Sequence, residues 1–390
     1  MSVGVAQKII PLSVPHIAGN AWRYTKDCLD SGWVSSVGPY VDRFEQAAAL
    51  QTGRKYGVAC INGTAAIHTA LMVLGIKAGE EVVVPDLTFA SPVFAVRYVG
   101  AFPVFVDVDA KYWQMDPVKL EHFLTKGCRF SNGRLVNRKT KRTVRAILPV
   151  HLLGHPCPMD QIMALAKKFN LYVIEDVAES LGASYKGLKI GSQADIACLS
   201  FNGNKIVTAG GGGMLLTDRV QWARTARHLT TQAKSDPLEY VHDSVGYNYR
   251  LTNVAAALGL SQLELLEKFI KTKKKMMQRY EAGLKKVKGI QRPTEAPWAD
   301  SIFWLYTVVV DPAVYGKTSR ELLKFLQQHG VQSRPLWHPL SRLPIFKDCY
   351  GDGGNTAWHL YEHALSIPSS VNMSVSEQNK VIDLIKQFGK

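Results

Sequence analysis

The chain has 390 residues and a formal net charge of +15, from 47 lysines and arginines against 32 aspartates and glutamates, which favours anionic ligands such as phosphorylated metabolites. No apolar run reaches the ~20 residues that a membrane span needs. Two segments, 122–146 and 267–280, are rich in basic residues, and neither interleaves aromatic residues as a nucleic-acid groove would. The sequence shows no signal-peptide pattern, C-x-x-C pair or zinc-finger spacing, so we expect a cytoplasmic protein with free cysteine thiols and no metal, membrane or nucleic-acid partner.

Apolar runs rich in β-branched residues alternate with helical patterns in the N-terminal part of the chain. The predicted strands are 56–61, 81–85, 104–106, 144–150, 171–175, 195–201 and 214–217. TAAIHTALMVLG follows the first strand and MDQIMALAKKFN precedes the fifth, both with helical periodicity, and FSNGRLV between them predicts a hairpin with an Asn-Gly turn. The alternation predicts an α/β fold with a mostly parallel sheet covered on both faces. Ligands of such sheets collect beyond the carboxyl ends of the strands.

The pattern changes from Asn253 onward. One long helical stretch, VAAALGLSQLELLEKFIKTKKKMMQRYEAGLKKV, carries its lysines away from its apolar side, as a solvated amphipathic helix does. It is followed by the apolar run FWLYTVVVD and by two further helical patterns, SRELLKFLQQHG and SVSEQNKVIDLIKQF. This mixture predicts a large α/β domain over 1–252 and a smaller α+β domain over 253–390.

Two strand ends carry side chains that are typical of binding sites. In CINGTAAIHTAL, Gly63 and Thr64 stand at a strand-to-helix turn, where free backbone N–H groups and the hydroxyl can hold a phosphate. The ordinary alternative for Thr64 is a helix N-cap. In LYVIEDVAES, Asp176 follows a buried strand, so its carboxylate either meets a cationic or hydrogen-bonding partner or caps the next turn.

A third strand end, ADIACLSFNGNK, carries Ser200, Asn202 and Lys205 and leads into four glycines. The glycines do not form a nucleotide P-loop, because they lack the G-K-[ST] ending and a following helix. A lysine near a phosphate seat and a buried carboxylate is what a pyridoxal phosphate enzyme requires, since the amine forms a Schiff base and the carboxylate keeps the ring nitrogen protonated. Phe89, just after another strand, lies either on the cofactor ring or in the core.

Eight stretches in order extend this pattern over essentially the whole chain: GWVSSVGPYVDRFE, INGTAAIHTAL, VVVPDLTFASPVFAVRYVGAFPVFVDVD, PVHLLGHPCPMDQI, VIEDVAESLGASYKG, ADIACLSFNGNK, GYNYRLTNVAAALGLSQL and SRPLWHPL. On these stretches the chain resembles the DegT/StrS-type nucleotide-sugar aminotransferases, which are fold-type-I pyridoxal phosphate (PLP) enzymes. The resemblance implies that fold and cofactor, amino transfer from L-glutamate to a nucleotide-linked keto-sugar, and an obligate homodimer with shared active sites. Related dehydratases carry a histidine at the position of Lys205, so the lysine favours transamination.

The resemblance also implies roles for individual residues. Lys205 forms the covalent bond with the cofactor and moves the proton, Asp176 pairs with the pyridine nitrogen, and Glu179 lies near the ring hydroxyl. Asn248, in GYNYR, reaches the phosphate in the neighbouring subunit. The full set of expected cofactor-binding residues is Gly63, Thr64, Ala65, Phe89, Asp176, Glu179, Ser200, Asn202, Lys205 and Asn248.

These motifs leave two sugars open. FNGNKIVTAGGGG, the basic segment before VRAILPV and TTQAKSDPLEYVHDSVGYNYRLTN are most similar to the branch that aminates C4 of UDP-4-keto-6-deoxy-N-acetylhexosamines, which is our main interpretation. DVDAKYWQMD instead resembles the branch that makes GDP-perosamine from GDP-4-keto-6-deoxymannose. The candidates for sugar or base contacts, with packing as the ordinary alternative, are Trp33, Arg250, Trp337 and His338.

Two functions from other classes are alternatives. A catalytically silent binding or regulatory protein on the same fold is disfavoured by the intact Lys205 and Asp176. A nicotinamide-dependent oxidoreductase is disfavoured because no G-x-G-x-x-G follows an N-terminal strand. A yellow chromophore that is lost in Lys205→Ala separates the aminotransferase from both.

Overall fold

The computed structural model describes residues 8–131, 133–236 and 238–389. Its helices are α1 (Ala21–Asp30), α2 (Pro39–Thr52), α3 (Gly63–Val73), α4 (Ser91–Tyr98), α5 (Pro117–His122), α6 (Met159–Phe169), α7 (Val220–Thr230), α8 (Asn253–Leu263), α9 (Leu266–Leu284), α10 (Pro312–Tyr315), α11 (Ser319–Gln328), α12 (Asn355–His363) and α13 (Val375–Phe388). Its strands are β1 (Tyr56–Cys60), β2 (Glu81–Pro85), β3 (Phe102–Val106), β4 (Cys128–Ser131), β5 (Arg134–Asn137), β6 (Val144–Ile147), β7 (Tyr172–Asp176), β8 (Ser184–Tyr185), β9 (Leu188–Lys189), β10 (Ile196–Ser200), β11 (Gly213–Thr217), β12 (Lys234–Asp236), β13 (Val241–His242), β14 (Ile290–Gln291), β15 (Ala299–Asp300), β16 (Tyr306–Val310), β17 (Arg334–Pro335), β18 (Tyr350–Gly351) and β19 (Ala364–Ile367).

The larger of the two main sheets has eight strands, in the order β1-β11-β10-β7-β6-β2-β3-β18. The pairs from β10 to β18 are parallel, whereas β11 runs antiparallel to both β1 and β10. The strands are buried apolar runs such as EVVVP in β2, because apolar side chains cover both faces of the sheet. The predicted α/β class with a mostly parallel sheet is confirmed.

A smaller four-stranded antiparallel sheet follows later in the chain, in the order β14-β16-β19-β17. Helices α9, α11 and α13 pack with it around a separate apolar cluster that contains Tyr280, Leu322 and Ile385. Both α11 and α13 begin with a capping box, from Thr318 and Ser374 respectively, which fixes where these helices start. The smaller sheet supplies one wall of the site described below.

The long helix that the sequence predicted after Asn253 is two helices. α8 ends at Leu263 and α9 begins at Leu266, with Leu265 between them at φ −101° and ψ 0°. α8 packs against α1 and α2, and β18 pairs with β3, so segments beyond residue 252 complete the layer around the large sheet. The division into domains 1–252 and 253–390 stays a prediction.

The basic hairpin is present as the antiparallel pair β4 and β5, in which Ser131 lies opposite Arg134. Asn132 of its predicted turn lies outside the described residues, as do residues 1–7, on which the expectation of no signal peptide partly depends. The cysteines are free thiols, and five of the six are buried. In the described part of the chain, no helix combines the length and the apolar character of a membrane span.

Candidate active site

The start of α3 and the end of β10 form a small polar cradle. The Asn62 side chain caps α3 by accepting a hydrogen bond from the N–H of Ala65 at 2.8 Å. Gly63 lies against Ser200 so closely that a Cβ at position 63 would be 2.9 Å from the Ser200 Cβ. The Thr64 hydroxyl donates to the Ser91 hydroxyl at 2.9 Å. A helix N-terminus ringed by three hydroxyls is a suitable seat for a phosphate.

Asp176 ends β7, the parallel neighbour of β10, and is only 4% exposed. Its carboxylate accepts a hydrogen bond from the N–H of Ala178 at 2.9 Å. Burial raises the pKa of Asp176, while the Ala178 N–H and the charges of Lys205 and His151 oppose that shift. A buried carboxylate of this kind gains most from a cationic N–H partner placed beside it.

Lys205 follows β10 after a short turn and points its amine between an acid and an aromatic ring. Its Nζ lies 3.7 Å from Oε1 of Glu179 and 3.9 Å from the centre of the Trp304 ring. The other carboxylate oxygen of Glu179 accepts a hydrogen bond from the N–H of Leu153 at 2.7 Å. Burial raises the pKa of Glu179 to about 7, against the opposing charge of Lys205.

These groups open into one cavity of about 390 Å³ between the two sheets. Nine of the predicted site residues line it: Gly63, Thr64, Phe89, Asp176, Glu179, Ser200, Asn202, Lys205 and Trp337. Phe89 is 54% exposed, so its alternative assignment to the core is wrong. The cavity also has polar or aromatic lining residues that the sequence did not single out, namely Asn62, Thr88, Ser91, Asn204, Trp304, Arg334 and Ser366.

The other predicted residues lie outside the cavity of their own chain. Arg250 is half-buried and pairs with Glu45 at 2.8 Å, and the N–H of Ala65 is already bonded to the Asn62 cap. His338 packs against Trp358 and Tyr361, and Trp33 is 51% exposed. Their assignments to the substrate or the cofactor stay predictions.

Asn248 is exposed and lies between Tyr247 and Tyr249, whose rings stack with centres 4.9 Å apart. Both rings also meet the His68 ring edge-on, and His68 belongs to α3, the helix that begins at the phosphate seat. This aromatic cluster fixes the segment that carries Asn248 to α3. The backbone that carries Asn248 is therefore held against α3, and its contact with a neighbouring subunit stays a prediction.

The residues in the cavity fit pyridoxal phosphate. The missing side chain of Gly63 lets the start of α3 lie directly against Ser200, Asp176 suits a protonated pyridine nitrogen, and Lys205 supplies the amine. Exposed Phe89 offers a flat apolar face in the same cavity. Thr88 is 1% exposed, and its hydroxyl has no hydrogen-bond partner among the described residues, which is expected of a group that contacts a ligand.

Comparison with known proteins agrees with this assignment. The sequence matches the DegT/DnrJ/EryC1/StrS aminotransferase family over residues 15–386. It is 37% identical to the GDP-perosamine synthase of Caulobacter vibrioides, covering 97% of this chain and 98% of that protein. It is 36% identical to the GDP-perosamine synthase of Escherichia coli O157:H7, covering 98% and 99%.

Solved structures show the same relationship. A DegT/DnrJ/EryC1/StrS aminotransferase from Brucella abortus superposes with a TM-score of 0.86 at 28% identity, covering 95% of each chain. The Streptococcus pneumoniae protein Spr1654, solved in its PMP form, superposes with a TM-score of 0.86 at 26% identity, covering 98% of each chain. The chain therefore belongs to the DegT/DnrJ/EryC1/StrS aminotransferase family, as a sugar aminotransferase that uses pyridoxal phosphate.

Proposed function

We propose that this enzyme transfers the amino group of L-glutamate to C4 of GDP-4-keto-6-deoxymannose. The observation that carries the proposal is the similarity over nearly the full length to GDP-perosamine synthases of three organisms, at 37%, 36% and 32% identity. These relatives favour the GDP-linked alternative over the UDP-linked N-acetylhexosamine that the motifs first suggested. The motif DVDAKYWQMD points in the same direction as the relatives.

The residues of the cavity have separate roles in amino transfer. Pyridoxal phosphate, when bound, supplies an aldehyde that carries the amino group and a ring that accepts electrons. The hydroxyls at Thr64 and Ser200 and the backbone at Gly63 hold the phosphate. Asp176 keeps the ring nitrogen protonated, because the buried carboxylate and the protonated nitrogen stabilise each other's charge.

Lys205 acts as the acid and the base. Its amine takes a proton from one carbon of the reacting group and returns it to another, so the same nitrogen must be neutral at one moment and charged at the next. Glu179, whose carboxylate oxygen lies 3.7 Å from the Lys205 amine, takes up the proton of that amine or balances its positive charge. The raised pKa of Glu179, about 7, means that this carboxyl exchanges protons near neutral pH, where proton exchange with Lys205 is most effective.

We also propose that two copies of the chain share their active sites. The support is the position of Asn248, which lies exposed and outside the cavity of its own chain. A Lys205→Ala subunit mixed with an Asn248→Ala subunit should then give hybrids with one intact site and recovered activity. Verified hybrids that stay inactive would contradict shared sites.

An amination assay with L-glutamate tests the substrate. GDP-, UDP- and dTDP-linked 4-keto-6-deoxy sugars are offered at equal concentration, and the aminated product is measured by mass spectrometry. We expect the GDP-linked sugar to have the highest kcat/KM. A higher kcat/KM for a UDP-linked N-acetylhexosamine would return the assignment to the first interpretation of the motifs.

A further inference from the structure

Trp304 is a buried side chain of the active-site cavity to which the sequence assigned no role. It lies two residues before β16 of the smaller sheet and is 3% exposed. The centre of its ring lies 3.9 Å from Nζ of Lys205. A tryptophan face at this distance attracts an ammonium ion and has no comparable attraction for a neutral amine. The contact therefore depends on the protonation state of Lys205.

Three hydrogen bonds hold Trp304 in this position. Its indole N–H donates to the backbone oxygen of Asn204 at 2.8 Å, next to Lys205 in the chain. Its backbone N–H donates to the oxygen of Leu153 at 2.9 Å, and its backbone oxygen accepts from the buried Lys273 amine at 2.6 Å. Because these partners come from three separate parts of the chain, the ring cannot move away from Lys205 without breaking tertiary contacts.

Leu153 joins Trp304 to Glu179. Its oxygen accepts from the Trp304 N–H, while its own N–H donates to Glu179 at 2.7 Å. Its backbone is left-handed, at φ 57° and ψ 17°, a conformation that is unfavourable for leucine. The amine of Lys205 thus lies between an aromatic face and a carboxylate whose relative positions are fixed by one strained residue.

We propose that Trp304 is a positioning residue that holds the free, protonated amine of Lys205 beside Glu179. The inference rests on the assignment of Lys205 under the proposed function, but it is independent of the identity of the sugar. During amino transfer the lysine is released and must take up and return a proton without leaving the site. The ring gives the released amine one fixed location between these two events.

The charged and titratable groups that surround Lys205 belong to the walls of the cavity and of a small neighbouring cleft. They are Glu179, Asp176, Lys273, Arg334 and His16. A substitution of Trp304 leaves all of them in the chain. Trp304→Phe and Trp304→Leu both lose the indole N–H and keep these groups, so a difference between their pH profiles reports on the aromatic face itself.

The test is the pH profile of a single turnover that needs no sugar. The amino form of the holoenzyme is mixed with 2-oxoglutarate from about pH 6 to about pH 10, and the absorbance of the cofactor is followed for wild type, Trp304→Phe and Trp304→Leu. The proton-transfer step needs a neutral amine as the base, so its rate rises with pH. Loss of the face favours the neutral amine, so the rise moves to lower pH, by about 0.4 to 1.5 units in Trp304→Leu. The phenyl ring of Trp304→Phe attracts the ammonium ion less strongly than the indole ring does, so its rate profile shifts by less than that of Trp304→Leu.

Trp222→Phe is the matched control, because Trp222 is half-buried against Tyr172 away from the cavity. It is expected to leave the profile unchanged. Profiles of both Trp304 variants that coincide with wild type would overturn the proposal. Equal shifts in Trp304→Phe and Trp304→Leu would also overturn it, because the lost indole hydrogen bond would then explain the effect.

Two further outcomes separate this proposal from the proposed function. Wild type that turns over 2-oxoglutarate but aminates no GDP-linked sugar removes the sugar assignment and leaves the role of Trp304 standing. If borohydride trapping labels a residue other than Lys205, the assignment of that lysine is wrong, and so is the proposed role of Trp304.

Discussion

Replacement of Glu179 by glutamine tests the electrostatics of the site most directly. Burial raises the pKa of this carboxyl from its ordinary 4.5 to about 7. The folded protein therefore binds a proton more tightly than the unfolded chain between these two values. The stabilisation is fully present below pH 4.5 and is lost as the pH rises through 7. A rise of this size corresponds to about 3 kcal/mol in total, of which about 2.5 kcal/mol falls between pH 5 and pH 8.

The assay is urea unfolding of the cofactor-free protein at about pH 5 and about pH 8, followed by circular dichroism. The difference in unfolding free energy between wild type and Glu179→Gln should change by about 2.5 kcal/mol between the two pH values, because wild type becomes less stable relative to the variant at the higher pH. A difference that is the same at both pH values would refute the reasoning, because glutamine carries no titratable proton.

Glu377→Gln provides a control with the opposite shift. Hydrogen bonds from Lys8 and from Ser374 at the start of α13 lower the pKa of Glu377 to about 2. Both this value and the ordinary 4.5 lie below pH 5, so Glu377 is mostly ionised in the folded and unfolded states throughout the range tested. The difference between wild type and Glu377→Gln should therefore be nearly constant from pH 5 to pH 8.

Three further predictions use other parts of the site. Gly63→Ala should weaken cofactor binding about tenfold or more in an absorbance titration, because the new Cβ lies 2.9 Å from that of Ser200. Gly203→Ala is the control, because the added Cβ has no heavy atom of the described chain within 4 Å beyond its neighbours in sequence. Asp176→Ala should keep some cofactor but lose about 100-fold or more in kcat, and a near-normal kcat would contradict its role. Burial lowers the pKa of Lys273 to about 7, so the unfolded chain binds the proton more tightly. Wild type should therefore gain stability relative to Lys273→Met as the pH rises from about 7 to about 10 in thermal unfolding, and a constant difference would contradict this.

Much of the large sheet could be predicted from the sequence because its strands are short, continuous apolar runs. β2 and β7 lie within one residue of their predicted bounds for this reason. The break between α8 and α9 could not be predicted, since the apolar pattern continues through Leu265 and no glycine or proline marks the turn. The two-residue strands, such as β17 and β18, depend on partners far away in the chain and have no local pattern.

The same distinction applies to the site. Gly63, Asp176 and Lys205 could be found because each lies at or after the end of a strand of a mostly parallel sheet, and such strands end at one edge. Trp304 and Arg334 reach the cavity from the smaller sheet. Their position depends on how the two sheets pack, and a tryptophan beside an apolar strand has the same local pattern as an ordinary core residue.

The way in which α8 and β18 complete the large sheet limits how this enzyme can be cut or recombined. A fragment ending at residue 252 would lack the helix that covers α1 and α2, and it would leave β3 as a bare edge. Bare edges and uncovered apolar faces promote aggregation. Chimaeras with related enzymes should therefore exchange α8 and β18 together with the sheet that they protect, rather than join the two parents at that position.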